Sequence, residues 1–92
     1  MSFTPHITVA SIIEQSGRFL FVREHTSRGI AINQPAGHLE TNETLEQAAV
    51  RETLEETGWH IEPEAISGLY LYQAPNGVTY QRLCFVAKAL QL

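Results

Sequence analysis

The chain has 92 residues, 43% of them hydrophobic, and a formal net charge of −4 at pH 7. This length allows one domain, residues 1–92, which is just large enough for a core of its own. The acidic balance, with Lys88 as the only lysine, excludes the basic surface that nucleic-acid polymers require. No apolar run reaches the length of a membrane span, so we expect a soluble protein with no membrane partner.

The cysteine content indicates the redox state of the cellular compartment. Cys84 is the only cysteine, which excludes a disulfide bond within the chain. It lies in an apolar run, where a buried thiol with a packing role is expected. This pattern favours the reducing cytoplasm.

The first part of the chain predicts a β-hairpin. Residues 6–13 (HITVASII) are rich in β-branched side chains and roughly alternate, which is typical of a strand. A turn at residues 15–17 would return the chain as a second strand over residues 18–24 (RFLFVRE). The nearly continuous apolar character of that segment predicts cover on both faces. Residues 25–29 are then a polar loop, and Pro35 belongs at a strand edge or end.

A helix follows, and both of its ends are specified locally. Thr44 and Gln47 have the spacing of a capping box, which predicts that the helix begins at Leu45. Gly58 can adopt the left-handed conformation of a helix C-cap at little steric cost, which predicts that the helix ends at Thr57.

The remaining sequence predicts a second hairpin. Residues 59–61 are extended, and Pro63 is expected to break that extended segment. Residues 66–73 (ISGLYLYQ) alternate as a strand. The Pro-Asn-Gly sequence at residues 75–77 is a strong turn signal, and residues 78–90 complete the hairpin.

Glu52, Glu55 and Glu56 lie on one side of the predicted helix, because positions three and four apart are neighbours. A solvated acidic face is the usual explanation of such a cluster, but Arg51 is the only basic residue in the helix. Clustered carboxylates favour a hard cation, Mg²⁺ or Mn²⁺, and Mg²⁺ commonly shares its coordination with substrate phosphates. An apolar stripe on the opposite side predicts cover on two faces; it consists of Val50, Thr53 and Leu54.

Eight residues stand at the spacing of a known motif: Gly37, Glu43, Arg51, Glu52, Glu55, Glu56, Gly58 and Trp59. This pattern resembles the Nudix box, the signature of Nudix hydrolases. One position departs from the family, since Thr53 occupies a site that is apolar there. The resemblance extends from about residue 5 to residue 86, and PHITVASIIEQSGRFLFVRE with NQPAGHLE is similar to small bacterial Nudix phosphatases acting on nucleoside di- and triphosphates and on thiamine-type pyrophosphates.

The resemblance implies an α+β fold, a Nudix-type α/β/α sandwich around a mixed β-sheet. Nudix domains add further strand and helix elements after the second hairpin, and some take another carboxylate from that region. This sequence has no acidic residue after Glu64. We therefore expect a domain that lacks its C-terminal elements.

The resemblance also implies roles for the motif residues. The Gly37 carbonyl and the carboxylates of Glu52, Glu55 and Glu56 are expected to bind Mg²⁺, with Mn²⁺ as an alternative. The same glutamates are the expected catalytic residues, and either Glu52 or Glu56 would accept the proton of the attacking water. Glu43 and Arg51 are expected to form a structural ion pair.

Three further residues are candidates for substrate binding. Arg82 is the one charge inside the last strand, where it is either an edge arginine with its charged group in water or a phosphate contact. His38, beside Gly37, could assist acid–base chemistry, and Tyr72 is either a packing residue or part of a platform for a base. Ile32 stands where related enzymes carry an aromatic residue.

The predicted partner is a small phosphorylated substrate, and assembly as a homodimer stays open. The predicted activity is metal-dependent hydrolysis of phosphoanhydride bonds by water attacking phosphorus. The alternative is a non-catalytic Nudix-like module that binds a phosphorylated ligand without turnover. The intact motif favours the enzyme, whereas the short chain favours the module.

Overall fold

A computed structural model describes residues 3–91 of the chain. Its elements are β1 (His6–Gln15), β2 (Arg18–Phe19), β3 (Val22–Thr26), β4 (Gly29–Asn33), β5 (Ala36–His38), α1 (Leu45–Thr57), β6 (His60–Gln73) and β7 (Thr79–Gln91). Five strands form a mixed sheet in the order β2-β1-β7-β6, with β5 also paired to β1. β1 and β7 are parallel, and the other pairs are antiparallel. The predicted mixed sheet is present, and α1 is the one helix of residues 3–91.

Helix α1 begins and ends where the sequence predicts. The Thr44 hydroxyl accepts the Gln47 N–H at 3.1 Å, and the Gln47 side chain accepts the Thr44 N–H at 2.9 Å. Gly58 closes the helix with a φ of 78°, and its N–H donates to the Leu54 carbonyl at 2.9 Å. These contacts satisfy backbone groups that a helix end otherwise leaves unpaired. The described part of the chain contains no helix long and apolar enough to cross a membrane.

The core lies between α1 and one face of the sheet. One cluster joins two alanines of the helix to β1 and β7, and consists of Val9, Ala48, Ala49 and Phe85. A second joins the far ends of the strands and consists of Ile13, Ile61 and Ala87. Cys84 is buried, as predicted. The predicted cover of the second helical stripe is incomplete within residues 3–91, because Leu54 is 38% exposed.

Thr53 leads to a stability prediction, because its side chain is fully buried and its hydroxyl has no hydrogen-bond partner in the described part of the chain. A buried polar group without a partner costs about 1–3 kcal/mol. Thr53→Val keeps the shape and removes the hydroxyl, so the free energy of unfolding in urea should rise by about 1 kcal/mol.

Thr57→Val is the matched control for this prediction. The Thr57 hydroxyl donates to the Thr53 carbonyl at 2.7 Å and accepts the Trp59 N–H at 3.1 Å. Its loss should therefore destabilise the protein. A lower unfolding midpoint for Thr53→Val would show that the Thr53 hydroxyl is paired in solution.

The predicted N-terminal hairpin is wrong beyond its first residues. Of the segment predicted to return along β1, only β2 pairs with it, by the register Glu14↔Phe19 and Gln15↔Arg18. The chain then leaves the sheet, and β3 pairs with β4. β3 cannot continue along β1, because β5 occupies that edge at Thr8, Val9 and Ala10.

Two other predictions about the strands are corrected. Phe19 and Phe21 are 55% and 52% exposed, so residues 3–91 do not provide the predicted cover on both faces of residues 18–24. Pro63 lies inside β6 rather than ending the extended segment. The pairing register shifts between Pro63 and Ala65, and an edge strand with a bulge tolerates a residue that lacks an N–H.

Candidate functional site

The C-terminal half of α1 packs its carboxylates against strand β5. The Glu56 carboxylate accepts the Ala36 N–H at 2.9 Å. The Glu52 carboxyl group lies so close to Gly37 that a Cβ atom added there would overlap it. Glu55 is more solvent-accessible than Glu52, with 58% of its side chain exposed against 18%. Two of the three predicted carboxylate ligands therefore contact the same short strand.

Gly37 matters because of space rather than backbone freedom. Its φ is not among the positive values found in the chain, and it pairs with Val9 inside β5. A glycine ahead of a helix is expected to let the backbone turn sharply, and for Gly37 this expectation is wrong, because it lies inside a strand. A Cβ atom at position 37 would overlap the Glu52 carboxyl group, and this end of a flexible side chain would have to move.

Arg51 links the loop before α1 to the carboxylates on the helix. Its Nε and Nη2 donate to the two Glu43 oxygens at 2.7 and 3.1 Å. Its Nη1 lies 2.6 Å from Glu52 and 3.3 Å from Glu55. Nη2 also donates to the His38 carbonyl at 2.9 Å. The structure thus contains the Glu43–Arg51 ion pair, and this arginine also neutralises part of the glutamate cluster.

The environment shifts the pKa of two glutamates in opposite directions. Hydrogen bonding to the Arg51 guanidinium lowers the pKa of Glu43, and the Glu40 N–H acts in the same sense. Burial raises the pKa of Glu56, the Ala36 N–H opposes this, and the charges of Glu52, Glu24 and Glu55 raise it further. Glu56 is therefore the carboxyl group of this site that takes up a proton more readily than usual.

The Glu43 pKa predicts how stability depends on pH. A pKa lowered by folding contributes stability above the unfolded value of about 4.3, and this contribution disappears as pH falls through the folded value. Glu43→Gln should therefore lower the thermal midpoint at pH 7, and the difference from the parent should shrink below about pH 4. Glu64→Gln, an exposed change on β6, is the control. A difference that does not change with pH would contradict the ion pair.

The donor chemistry of the site fits a hard divalent cation. Glu52, Glu55, Glu56 and the Gly37 carbonyl offer oxygen atoms, which Mg²⁺ and Mn²⁺ prefer. Within residues 3–91, no three His, Cys, Asp or Glu side chains already form a metal-binding group. Arg51 contacts two of the carboxylates, and binding of a metal would require them to reorient.

A cavity of about 560 Å³ opens beside β5. Its wall on the sheet comes from β1, β5 and β7, and its other wall comes from the β3–β4 hairpin and the residues flanking it. The lining residues are Thr8, Phe21, Glu24, Ile32, Asn33, Gln34, Ala36, Gly37, His38 and Arg82. The cavity therefore adjoins the strand that contacts Glu52 and Glu56.

Arg82 and His38 lie in this cavity wall, at one level of the sheet. Thr8 is opposite His38 on β5 and opposite Arg82 on β7. Arg82 Nε donates to the Thr8 hydroxyl at 3.3 Å. The ion pairs found among the described residues do not include Arg82. A half-buried guanidinium without a carboxylate partner is a suitable contact for an anion.

Tyr72 lies outside the cavity wall. Its ring stacks on that of Tyr80, with centroids 5.4 Å apart and planes inclined by 22°. Tyr80 is in turn 6.4 Å from the His38 ring. The structure therefore places Tyr72 in an aromatic group beside the site.

The sequence pattern does not identify Phe21 or Glu24 as cavity residues, although both line the cavity. Phe21 belongs to an apolar run that predicts a buried strand, and Glu24 belongs to the same segment. Only the pairing of β3 with β4 brings these residues to the cavity.

The family model for the NUDIX domain matches residues 3–89 of the chain. The chain belongs to the Nudix family. The Nudix box then corresponds to β5, the following loop and α1, which are the elements that form this carboxylate site.

Known proteins resemble this Nudix domain over nearly all of its length. Phosphatase NudJ of Escherichia coli (strain K12) is 40% identical over 90 residues, which are 98% of the chain and 59% of that protein. A NUDIX hydrolase from Nitrosomonas europaea is 43% identical with a TM-score of 0.90, over 97% of the chain and 62% of the other. An ADP-ribose pyrophosphatase from Streptococcus suis shares the fold, with 21% identity and a TM-score of 0.74. The match covers 95% of this chain and 62% of the pyrophosphatase chain. The Nudix domain spans less than two thirds of the length of each.

Proposed function

We propose that the chain hydrolyses a phosphoanhydride bond in a small phosphorylated substrate, either a nucleoside di- or triphosphate or a thiamine-type pyrophosphate. The observation that supports this most directly is the close packing of Glu52 on Gly37, at the edge of a cavity that also contains Arg82. Carboxylates and a guanidinium that forms no ion pair within residues 3–91 thereby adjoin one space. A cation held by the carboxylates, together with Arg82, would offset the negative charge of a diphosphate.

Glu52, Glu55, Glu56 and the Gly37 carbonyl would hold Mg²⁺, with Mn²⁺ as the second choice. When bound, such an ion lowers the pKa of water and offsets negative charge on the phosphates. Arg51 would keep the helix and the preceding loop in place through Glu43, to which it makes two hydrogen bonds.

Glu56 is favoured over Glu52 as the acceptor of the water proton. One Glu52 oxygen is occupied by the Arg51 guanidinium at 2.6 Å. Glu56 is bound by the neutral Ala36 N–H, and burial raises its pKa. A carboxylate with a raised pKa is a stronger base near neutral pH.

Arg82 would bind a phosphate oxygen from the sheet side of the cavity. Its Nε is fixed by the Thr8 hydroxyl, which leaves the two terminal nitrogen atoms of the guanidinium for an anion. His38 lines the same wall and would contact the substrate directly. Tyr72 would act through Tyr80, on which it stacks.

Two measurements test this proposal. Phosphate release with Mg²⁺ should be detectable with at least one nucleoside diphosphate, nucleoside triphosphate or thiamine diphosphate. The thermal midpoint should also rise with Mg²⁺ or Mn²⁺, because a metal at ten times its Kd stabilises the folded state by about 1.4 kcal/mol. Stabilisation by metal without turnover would favour the non-catalytic module. Absence of both effects would contradict both functions.

Location and assembly are part of the same proposal. Cys84 is the only cysteine of the chain and is buried as a free thiol, which supports a cytoplasmic protein. A homodimer would use the edge strand β6, where Leu69 and Leu71 are 60% and 68% exposed.

A further inference from the structure

The hairpin wall of the cavity carries two apolar side chains that the proposed chemistry does not use. Phe21 and Ile32 both line the cavity, and they are 52% and 66% exposed. The β3–β4 hairpin that carries this wall pairs with no other strand of residues 3–91. Neither side chain therefore forms part of the core clusters between α1 and the sheet.

The polar groups beside Phe21 suit a ring with nitrogen and oxygen atoms at its edge. Asn33 and Gln34 line the same wall, and each amide offers both donors and acceptors. Glu24 adds a carboxylate acceptor. The lining residues from the sheet differ in character, because they include the positively charged Arg82. One side of the cavity thus suits a flat heteroaromatic group, and the other suits an anion.

We infer that Phe21 is a specificity-determining residue whose ring stacks on the heteroaromatic group of a diphosphate substrate. Arg82 holds the phosphate end of the same molecule. This inference rests on the proposed function and names the part of the substrate that the hairpin recognises. A cavity of about 560 Å³ is within the size range of sites for small molecules.

Phe19 provides a matched control. Its exposure of 55% is close to the 52% of Phe21, and it lies only two residues earlier in the chain. It lines a separate cavity with Leu20 and Trp59. A general effect of losing an exposed phenylalanine would therefore occur at both positions, whereas stacking on the substrate would occur only at Phe21.

The test is a calorimetric titration in Mg²⁺ with two ligands that cannot be hydrolysed. The first is the α,β-methylene analogue of ADP, and the second is methylenediphosphonate, which has no ring. Phe21→Leu should weaken binding of the nucleotide analogue about tenfold, as expected for loss of one stacked ring. Its affinity for methylenediphosphonate should change by less than about twofold, and Phe19→Leu should alter neither affinity.

Two results would overturn the role of Phe21. One is equal affinity of the unmodified protein for the two ligands, and the other is the same loss in Phe19→Leu as in Phe21→Leu. Thiamine diphosphate, titrated without metal, distinguishes an aminopyrimidine from a nucleobase as the preferred ring. Selective binding without any hydrolysis would support the role of Phe21 and contradict the catalytic proposal, so the two can fail separately.

Discussion

Glu56→Gln should lower the rate of phosphate release by at least about 100-fold, because the amide cannot accept a proton from water. The fold should persist, since a glutamine oxygen can still accept the Ala36 N–H that Glu56 binds at 2.9 Å. The measurement is kcat with Mg²⁺, together with the circular dichroism spectrum of each protein.

Glu46→Gln is the control for this change. Glu46 lies in the first turn of the same helix and is exposed, so its loss removes one charge without touching β5. The rate of phosphate release by Glu46→Gln should stay within about twofold of the rate of the parent protein. Unchanged turnover in Glu56→Gln would exclude Glu56 as the base.

Gly37→Ala should both destabilise the protein and impair hydrolysis. The added methyl group would occupy the place of the Glu52 carboxyl group. Overpacking of a rigid core costs about 1–3 kcal/mol. The low end of this range is expected here, because the displaced group is the end of a flexible side chain, so the unfolding midpoint in urea should fall. Phosphate release should fall as well, because the Glu52 carboxyl group would have to move away from its position against β5.

A double-mutant cycle separates this clash from any backbone effect. In a Glu52→Ala background, the same Gly37→Ala substitution should cost much less stability, because the displaced group is gone. Trp59 fluorescence can follow unfolding in all four proteins. Equal costs in the two backgrounds would mean that Gly37 is required for its conformation.

The contacts that formed as predicted join residues that are close together in the sequence. Thr44 and Gln47 are three residues apart, and Gly58 caps a carbonyl four residues earlier. Local hydrogen bonds of this kind depend on few neighbours, so residue identity and spacing suffice to predict the bounds of α1. The pair Glu43 and Arg51, eight residues apart, is also within reach of a loop and the first turns of a helix.

The predictions that failed depended on competition between distant segments. β5 and β3 are alternatives for the same edge of β1, and the pairing of β5 with Thr8, Val9 and Ala10 excludes β3. A sequence pattern shows that a segment can form a strand, but it does not show which edge the strand will occupy. The apolar pattern therefore predicts a covered strand at Phe21, whereas this side chain lines a cavity.

The sequence by itself determined the family, the bounds of the helix and the clustering of Glu52, Glu55 and Glu56, since each follows from identities at fixed local spacing. The tertiary structure alone decided that Gly37 is required for space, and that Arg82 faces a cavity with Phe21 on its other wall. Those facts arise because β5, β7 and the hairpin contribute residues to one cavity. Their residues are far apart in the chain, and only the completed sheet fixes the distances between them.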